Sequence, residues 1–292
     1  MRVYYHNDAD GILSAAILDK WVQETTLSVP TLIPINYPET IDPDKVKVGE
    51  GIILVDYSIP VEDMVLLQKK TKNITWIDHH ISAIKKYEEA KDLFSWAKEL
   101  KGSRSDKNAA CYLTWLYCYR HVQMPLAVCM IDDSDRKAGL YDNSENFMKG
   151  LITMSGREPE NVDYFQKLLN DDPETNSKTF KVGDILEAQS EIYRKNAKPY
   201  KLQFEDLDFL VLNQKGNGKA FDYVDDGKCD AFMMWTYDGT VYEYHLYHSR
   251  KGKQDNTDLS KIAGLYGGGG HRGASGFRST KFLADPNIHI KV

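Results

Sequence analysis

From residue 51 to residue 80 the sequence reads GIILVDYSIPVEDMVLLQKKTKNITWIDHH. Two apolar runs, residues 51–57 and 74–77, flank a segment opened by Pro60 with Val61, Val65 and Leu66 along one side. Apolar runs without alternation suit strands buried on both faces, as in a parallel sheet between helical layers. Proline is favoured in the first turn of a helix. The stretch therefore predicts strand, helix, strand, and each strand finishes in ligand-type side chains: Asp56 after the first, Asp78, His79 and His80 after the second.

The same pattern extends in both directions. Residues 2–5 read as a strand, followed by the loop His6-Asn7-Asp8-Ala9-Asp10-Gly11 and by Ile12, Leu13, Ala16, Ile17 and Trp21 at helical spacing. Residues 31–37 form a further strand, ended by Pro38. Strands alternating with helices predict a doubly wound, mainly parallel sheet. From residue 106 to 200 the pattern turns helical (108–121, 125–131, 161–169 and 185–197), with the polar residues 170–178 as a surface loop. Beyond Pro199 come strand-like segments 201–212, 231–237 and 241–249, a hairpin signal at Tyr237-Asp238-Gly239-Thr240, and a helix over 258–266. The expected architecture is α/β: an N-terminal doubly wound domain with a helical region (1–180), a linker helix (181–200) and a smaller C-terminal α/β domain (201–292). Two domains also accord with a chain of 292 residues.

Composition narrows the function. The net charge of −6 argues against a protein that coats long duplexes by neutralising phosphates, though it permits a local anion site. No run approaches the ~18 apolar residues of a membrane span, and the start, MRVYYHNDADG, has no apolar signal core. The cysteines Cys111, Cys118, Cys129 and Cys229 form no CxxC pair. They read as reduced thiols, with a cytoplasmic location expected.

In open α/β sheets ligands bind beyond the carboxyl ends of the strands. If the first, third and fourth strands run parallel, His6, Asp8, Asp10, Asp56 and His79 converge on one crevice. So many carboxylates cannot ionise together without counter-charge. Divalent cations supply it, and mixed imidazole and carboxylate donors suit Mn²⁺, Fe²⁺ or Zn²⁺. A calcium EF-hand is excluded, because registering His6 at its first position puts Ile17 where the bidentate Glu belongs. Taken alone, the first loop would read as a solvated turn rich in Asx residues. The ends of the other two strands turn the reading towards metal. A fourth acidic cluster, Asp132, Asp133 and Asp135, follows PLAVCMI and could complete the shell.

Near the end stands Gly267-Gly268-Gly269-Gly270-His271-Arg272-Gly273-Ala274-Ser275-Gly276. It reads either as a flexible linker or as a tight turn whose amides form an anion nest. Residues 248–281 hold seven Lys or Arg against two Asp, which favours the anion site. The GxxxxGK pattern of a Walker loop is absent.

These motifs resemble those of the DHH phosphoesterase superfamily. HNDADG is similar to its first motif, VDYS to its second and DHH to its third. GGGGHRGASG, with Arg250 upstream, resembles the glycine-rich signature of the DHH-associated domain. The superfamily includes RecJ-like exonucleases, nanoRNases, pAp phosphatases and cyclic-dinucleotide phosphodiesterases. The resemblance implies a hydrolase with two Mn²⁺ ions, for which Mg²⁺, Co²⁺ or Fe²⁺ could substitute. It implies that His6 and Asp8 hold one ion, Asp10 and His79 the other, and that Asp56 bridges them. Asp133 would supply the fourth-motif ligand, with Asp135 as the rival. His80 would face the scissile phosphate and Asp78 would orient a ligand. Arg250, Gly268, Gly269, Gly270 and His271 would hold a terminal phosphate of the substrate.

The implied reaction is phosphoester hydrolysis by metal-activated water. With no extended basic track, short single-stranded oligonucleotides or linear or cyclic dinucleotides are favoured over long strands, with Tyr247 or Tyr266 as stacking candidates. The alternatives are a phosphatase acting on pAp-like 3′,5′-bisphosphates and, in a different class, a non-catalytic nucleotide sensor. Neither a membrane nor a long duplex is expected as a partner. A homodimer is left open.

Overall fold

The apolar runs of the opening stretch become the two strands on one side of a four-stranded sheet. The computed structural model describes residues 1–93, 100–249, 251 and 257–287. The N-terminal half runs β1 (Arg2–His6), α1 (Ala9–Thr26), β2 (Thr31–Ile35), β3 (Ile52–Val55), α2 (Val61–Lys70), β4 (Ile74–Ile77) and α3 (Ile81–Leu93). The strand order is β2-β1-β3-β4 and every pairing is parallel. From β1 the chain goes to one side for β2, then returns to the other side for β3. The reversal leaves a crevice at the carboxyl ends of β1 and β3, where such sheets bind ligands.

Alternate residues of each strand feed two separate cores. Val3, Tyr5, Ile53, Val55 and Ile77 face the side covered by α1 and the later helices. Tyr4, Ile52, Leu54, Ile74 and Trp76 face the side that also buries Met64, Leu67 and Tyr87. Both faces are dry, which is why the strands show no polar alternation.

The helical region comprises α4 (Ala110–Tyr119), α5 (Leu126–Arg136), α6 (Ser144–Ser155), α7 (Val162–Leu169) and α8 (Pro173–Lys195). Two expectations are corrected. Residues 170–178 are not all loop, because α8 starts at Pro173. There Asp172 Oδ2 accepts a hydrogen bond from Thr175 N at 2.8 Å and Glu174 pairs with Lys178, so polar residues do the work of a helix start. Helix α6 lies outside the expected helical segments. It buries Phe147 and Leu151 and packs Met148, Ile152 and Met154 against the same core, a helical spacing that the sequence does carry.

The chain divides into two compact units, Met1–Glu187 and Ala188–Val292. The second is built on β5 (Tyr200–Phe204), β6 (Leu207–Asn213), β7 (Ala231–Tyr237), β8 (Tyr242–His248), α9 (Leu259–Leu265), β9 (Gly269–His271) and β10 (Ala274–Ser279). Its six-stranded mixed sheet has the order β5-β6-β7-β8-β10-β9. The run 201–212 is two strands rather than one. Glu205 and Asp206 both take positive φ, 50° and 61°, the conformation of a two-residue hairpin that Asn-Gly usually supplies. The Tyr237–Tyr242 hairpin is present, but with a longer loop in which Asp238 Oδ1 accepts from the amides of Thr240 and Val241. Among the described residues no helix is long and apolar enough to cross a membrane.

Candidate metal centre

Three strand ends build the site. β1 delivers His6. Asp8 then caps α1, its Oδ1 accepting from Gly11 N at 3.0 Å. Helix α1 starts so close to β1 that a Cβ on Gly11 would stand 2.0 Å from the His6 carbonyl oxygen. Glycine is therefore obligatory between the acidic loop and its helix. β3 delivers Asp56, whose backbone has φ 54°, a left-handed conformation uncommon for any residue but glycine. β4 delivers Asp78, His79 and His80.

Asp56 is the centre of the cluster. It is 1% exposed, and both its carboxylate oxygens are buried without a hydrogen-bond partner. His79 Nε2 lies 3.2 Å from Oδ1, His6 Nδ1 3.7 Å from Oδ2, and His80 Nδ1 4.0 Å from Oδ1. These are charge contacts without hydrogen-bond geometry. Around it His6 Nδ1 meets Asp8 Oδ2 at 2.8 Å. On the other side His79 Nε2 is 3.6 Å from both Asp10 Oδ2 and Asp135 Oδ2. Ligand atoms of three triads each lie within 4.8 Å of one another: His6, Asp8 and Asp56; Asp10, His79 and Asp135; and Asp56, His79 and His80. A buried carboxylate with both oxygens unpartnered costs several kcal/mol unless a cation or a proton offsets it. That donor set fits divalent ions.

The surroundings hold the ligands in place. Asp10 is buried, and its two oxygens accept from the amides of Ala110 and Cys111, each at 2.7 Å. The start of α4 thus fixes a carboxylate a hundred residues earlier. Asp78 is fully buried and accepts from Trp76 Nε1, the His79 amide and Ser58 Oγ. Its Oδ1 lies 2.6 Å from His80 Nδ1.

Electrostatics follow from burial and pairing. Burial, reinforced by Asp56 and Asp135, holds the Asp10 carboxyl well above the usual range, and burial does the same for Asp56. Asp135 is raised by burial and by the charge of Asp8. His6, beside Asp56 and hydrogen-bonded to Asp8, is pushed up to about 10. His80 is pushed up to about 9 by its bond to Asp78. Burial works against the Asp78 carboxylate, but the bonds from His80 and Ser58 outweigh it and leave it below its ordinary value. Without metal, then, the site keeps protons that a cation would displace.

The structure brings His6, Asp8, Asp10, Asp56, Asp78, His79 and His80 together. It does not bring Asp133. That carboxylate is turned to the α5–α6 connection, accepting from Leu140 N at 2.6 Å and Ser144 Oγ at 2.7 Å. Asp135 stands at His79 instead. The reason is helical phase: α5 runs through Arg136, so residues two apart face different ways. Asp132 serves structure, bonded to the Ala109 amide at 2.7 Å and paired with Arg136 at 2.6 Å. Arg250 lies outside the described residues. Gly269, Gly270 and His271 form an exposed edge strand of the second unit's sheet, paired with β10, and Gly268 immediately precedes it. Gly268 has no room for a Cβ, which would stand 2.1 Å from the Gly276 carbonyl oxygen.

Other residues near the site carried no sequence signal. Tyr37 places its ring 6.0 Å from that of His6 and 6.3 Å from that of His80. Asn7 has a buried, unpartnered Oδ1, and its carbonyl accepts from Arg157 at 3.1 Å. Ser58 could have been noticed, two residues beyond Asp56 in VDYS.

Residues 1–130 match the family described as DHH family, N-terminal domain. The N-terminal part of this chain is a DHH domain. The motifs HNDADG, VDYS and DHH all fall within that match, and the glycine-rich segment falls outside it. No curated protein sequence matches the chain. Among solved structures, the chain is similar to the DHH domain of a member of the S1p family of ribosomal proteins. The two are 14% identical with a TM-score of 0.59, covering 94% of this chain and 81% of that one. It is also similar to PggH, a pGpG-specific phosphodiesterase from Vibrio cholerae, at 13% identity and TM-score 0.53, covering 96% of this chain and 93% of that one. At such identities the likeness bears on the fold of the DHH domain and of the unit that follows it.

Proposed function

We propose that the chain is a metal-dependent phosphoesterase that hydrolyses phosphodiester bonds of short oligonucleotides or dinucleotides. The observation that carries this reading is Asp56, buried with two unpartnered oxygens among His6, His79 and His80. His6 and Asp8 would hold one ion and Asp10, His79 and Asp135 the other, with Asp56 between them; Mn²⁺ is the first candidate, and Mg²⁺, Co²⁺ or Fe²⁺ the substitutes. Divalent ions bound there would supply Lewis-acid stabilisation of phosphoryl oxygens and lower the pKa of water.

The protein's own groups do the rest. His80, whose bond to Asp78 favours its protonated form, has its Nδ1 committed to that carboxylate. Its other nitrogen is left to donate to a phosphate oxygen, where charge builds up as the bond to the leaving oxygen breaks. Asp78 acts only by positioning. Its bonds to Trp76, Ser58 and the His79 amide keep the imidazole from turning. In the second unit Arg250, His271 and the amides at Gly268, Gly269 and Gly270 would bind a terminal phosphate.

The dinucleotide class rests on the motif resemblance, and the likeness to the pGpG-specific phosphodiesterase from Vibrio cholerae agrees with it. A panel of linear dinucleotides, cyclic dinucleotides, pAp and longer oligomers, assayed with each metal, tests the reading. Highest kcat/KM on a dinucleotide or short oligomer is expected. Preference for pAp would replace diester with monoester hydrolysis. No turnover of any member with tightly bound metal would leave the sensor reading in its place.

A further inference from the structure

Beside the metal centre lies a groove of about 640 Å³, bounded by α2, α3 and the segment that follows β3. We propose that this groove seats a nucleobase of the substrate; the inference rests on the phosphoesterase reading and names a part of the substrate that the site selects.

Position is the first argument. His80 and Tyr37 line the groove, and both also stand at the metal centre: His80 Nδ1 is 4.0 Å from Asp56 Oδ1, and the Tyr37 ring is 6.0 Å from that of His6. A phosphate held against His80 therefore has a neighbouring substituent at the mouth of the groove. Tyr37 is kept there by stacking on the buried Tyr57, centroids 4.7 Å apart, and by accepting from Ser58 N at 3.0 Å.

Chemistry is the second. The inner wall is apolar and partly aromatic, formed by Ile59, Met64, Ala83 and Tyr87. The rim carries Glu62, Lys86 and Glu89, all exposed. Apolar walls with a few polar groups at the edge suit a flat ring that needs its faces dry and its edges hydrogen-bonded. Two carboxylates against one ammonium make the rim a poor seat for another phosphate. The volume lies within the range of small-ligand sites and admits a purine with its sugar.

The test uses the full chain. Equilibrium dialysis with adenosine and guanosine should show binding, while ribose should not compete. Ala83→Trp, which fills the groove from α3, should weaken nucleoside binding tenfold or more. It should also lower kcat/KM for a dinucleotide relative to its abasic analogue by roughly tenfold, the size of a lost base contact. Absence of nucleoside binding by the unaltered protein overturns the proposal, as does a loss in Ala83→Trp that is equal for the two substrates. Should Ala83→Trp fail to fold by circular dichroism, inhibition of the unaltered enzyme decides: competition by adenosine but not by ribose supports the groove, and equal inhibition or none overturns it. Nucleoside binding without turnover of any phosphoester would remove the hydrolase reading and keep the groove as a nucleoside site. Turnover without nucleoside binding would do the opposite.

Discussion

His79 Nε2 stands 3.2 Å from Asp56 Oδ1, joining the ends of β4 and β3 across the crevice between them. This contact links the His6–Asp8 side of the cluster to the Asp10–Asp135 side. Asp56 therefore belongs to two of the three ligand triads, as does His79.

Asp56→Asn should separate metal binding from folding. A ligand that binds only the folded state stabilises it by about 2.7 kcal/mol at a hundred times its Kd. The unaltered protein should gain a clear rise in Tm with Mn²⁺, and the variant should gain little. Without metal the variant should be at least as stable, because a buried carboxyl without partners is replaced by an uncharged amide. Melting with and without Mn²⁺, together with elemental analysis, reads both effects.

Asp135→Asn and Asp133→Asn should behave differently. The first should weaken metal binding at least tenfold with little change in the metal-free Tm. The second disturbs the carboxylate that accepts from the buried Ser144 hydroxyl and from the Leu140 amide. It should cost about 1–3 kcal/mol of stability while metal affinity is retained. Isothermal titration with Mn²⁺ and chemical denaturation separate the two.

Gly11→Ala should damage both stability and site. The new Cβ would meet backbone rather than a movable side chain, so α1 must shift and carry Asp8 and Asp10 with it. A loss of about 1–3 kcal/mol is expected, together with weaker metal binding. An unchanged melting curve would contradict the close approach of α1 to β1.

The pH dependence of the metal-free protein follows from Asp78 and His80. His80 rises from 6.5 to about 9 on folding, so its contribution is complete below pH 6.5 and is lost as pH climbs through 9. His6, pushed up to about 10, adds in the same direction. Asp78 is lowered, so its contribution is present above its ordinary value and is lost in acid. His80→Gln should therefore flatten part of the decline in stability above pH 6.5. Denaturation midpoints measured from pH 5 to pH 10 check this.

Arg250→Ala and His271→Ala address the phosphate clamp. Each should raise KM for substrates with a terminal phosphate by roughly tenfold, the effect of one charge-assisted bond. Substrates without that phosphate should be affected far less. Equal effects on both kinds, from steady-state kinetics, would remove the clamp from the scheme.

The apolar runs at β3 and β4 were legible because both of their faces are buried, so almost every side chain reports the same environment. The loop before α1 was legible because Asp8, Asp10 and Gly11 occupy a helix start. The Glu205–Asp206 turn was hidden, because Glu205 is not a residue that left-handed conformations select and no glycine follows Asp206 to complete the usual hairpin pair. The start of α8 was hidden by its polarity. Asp133 and Asp135 could not be separated by letters alone, since the choice depends on how far α5 extends and how it is rotated against β4.

The sequence by itself determined the parallel α/β layering and the identity of the ligand-bearing strand ends, since burial pattern and strand termini are local properties of the chain. Only the tertiary structure decided that Asp135 rather than Asp133 joins His79, that the amides of Ala110 and Cys111 anchor Asp10, and that a groove opens beside His80. Those outcomes depend on helix phase and on contacts between segments up to about a hundred residues apart, and no local pattern of residues encodes either.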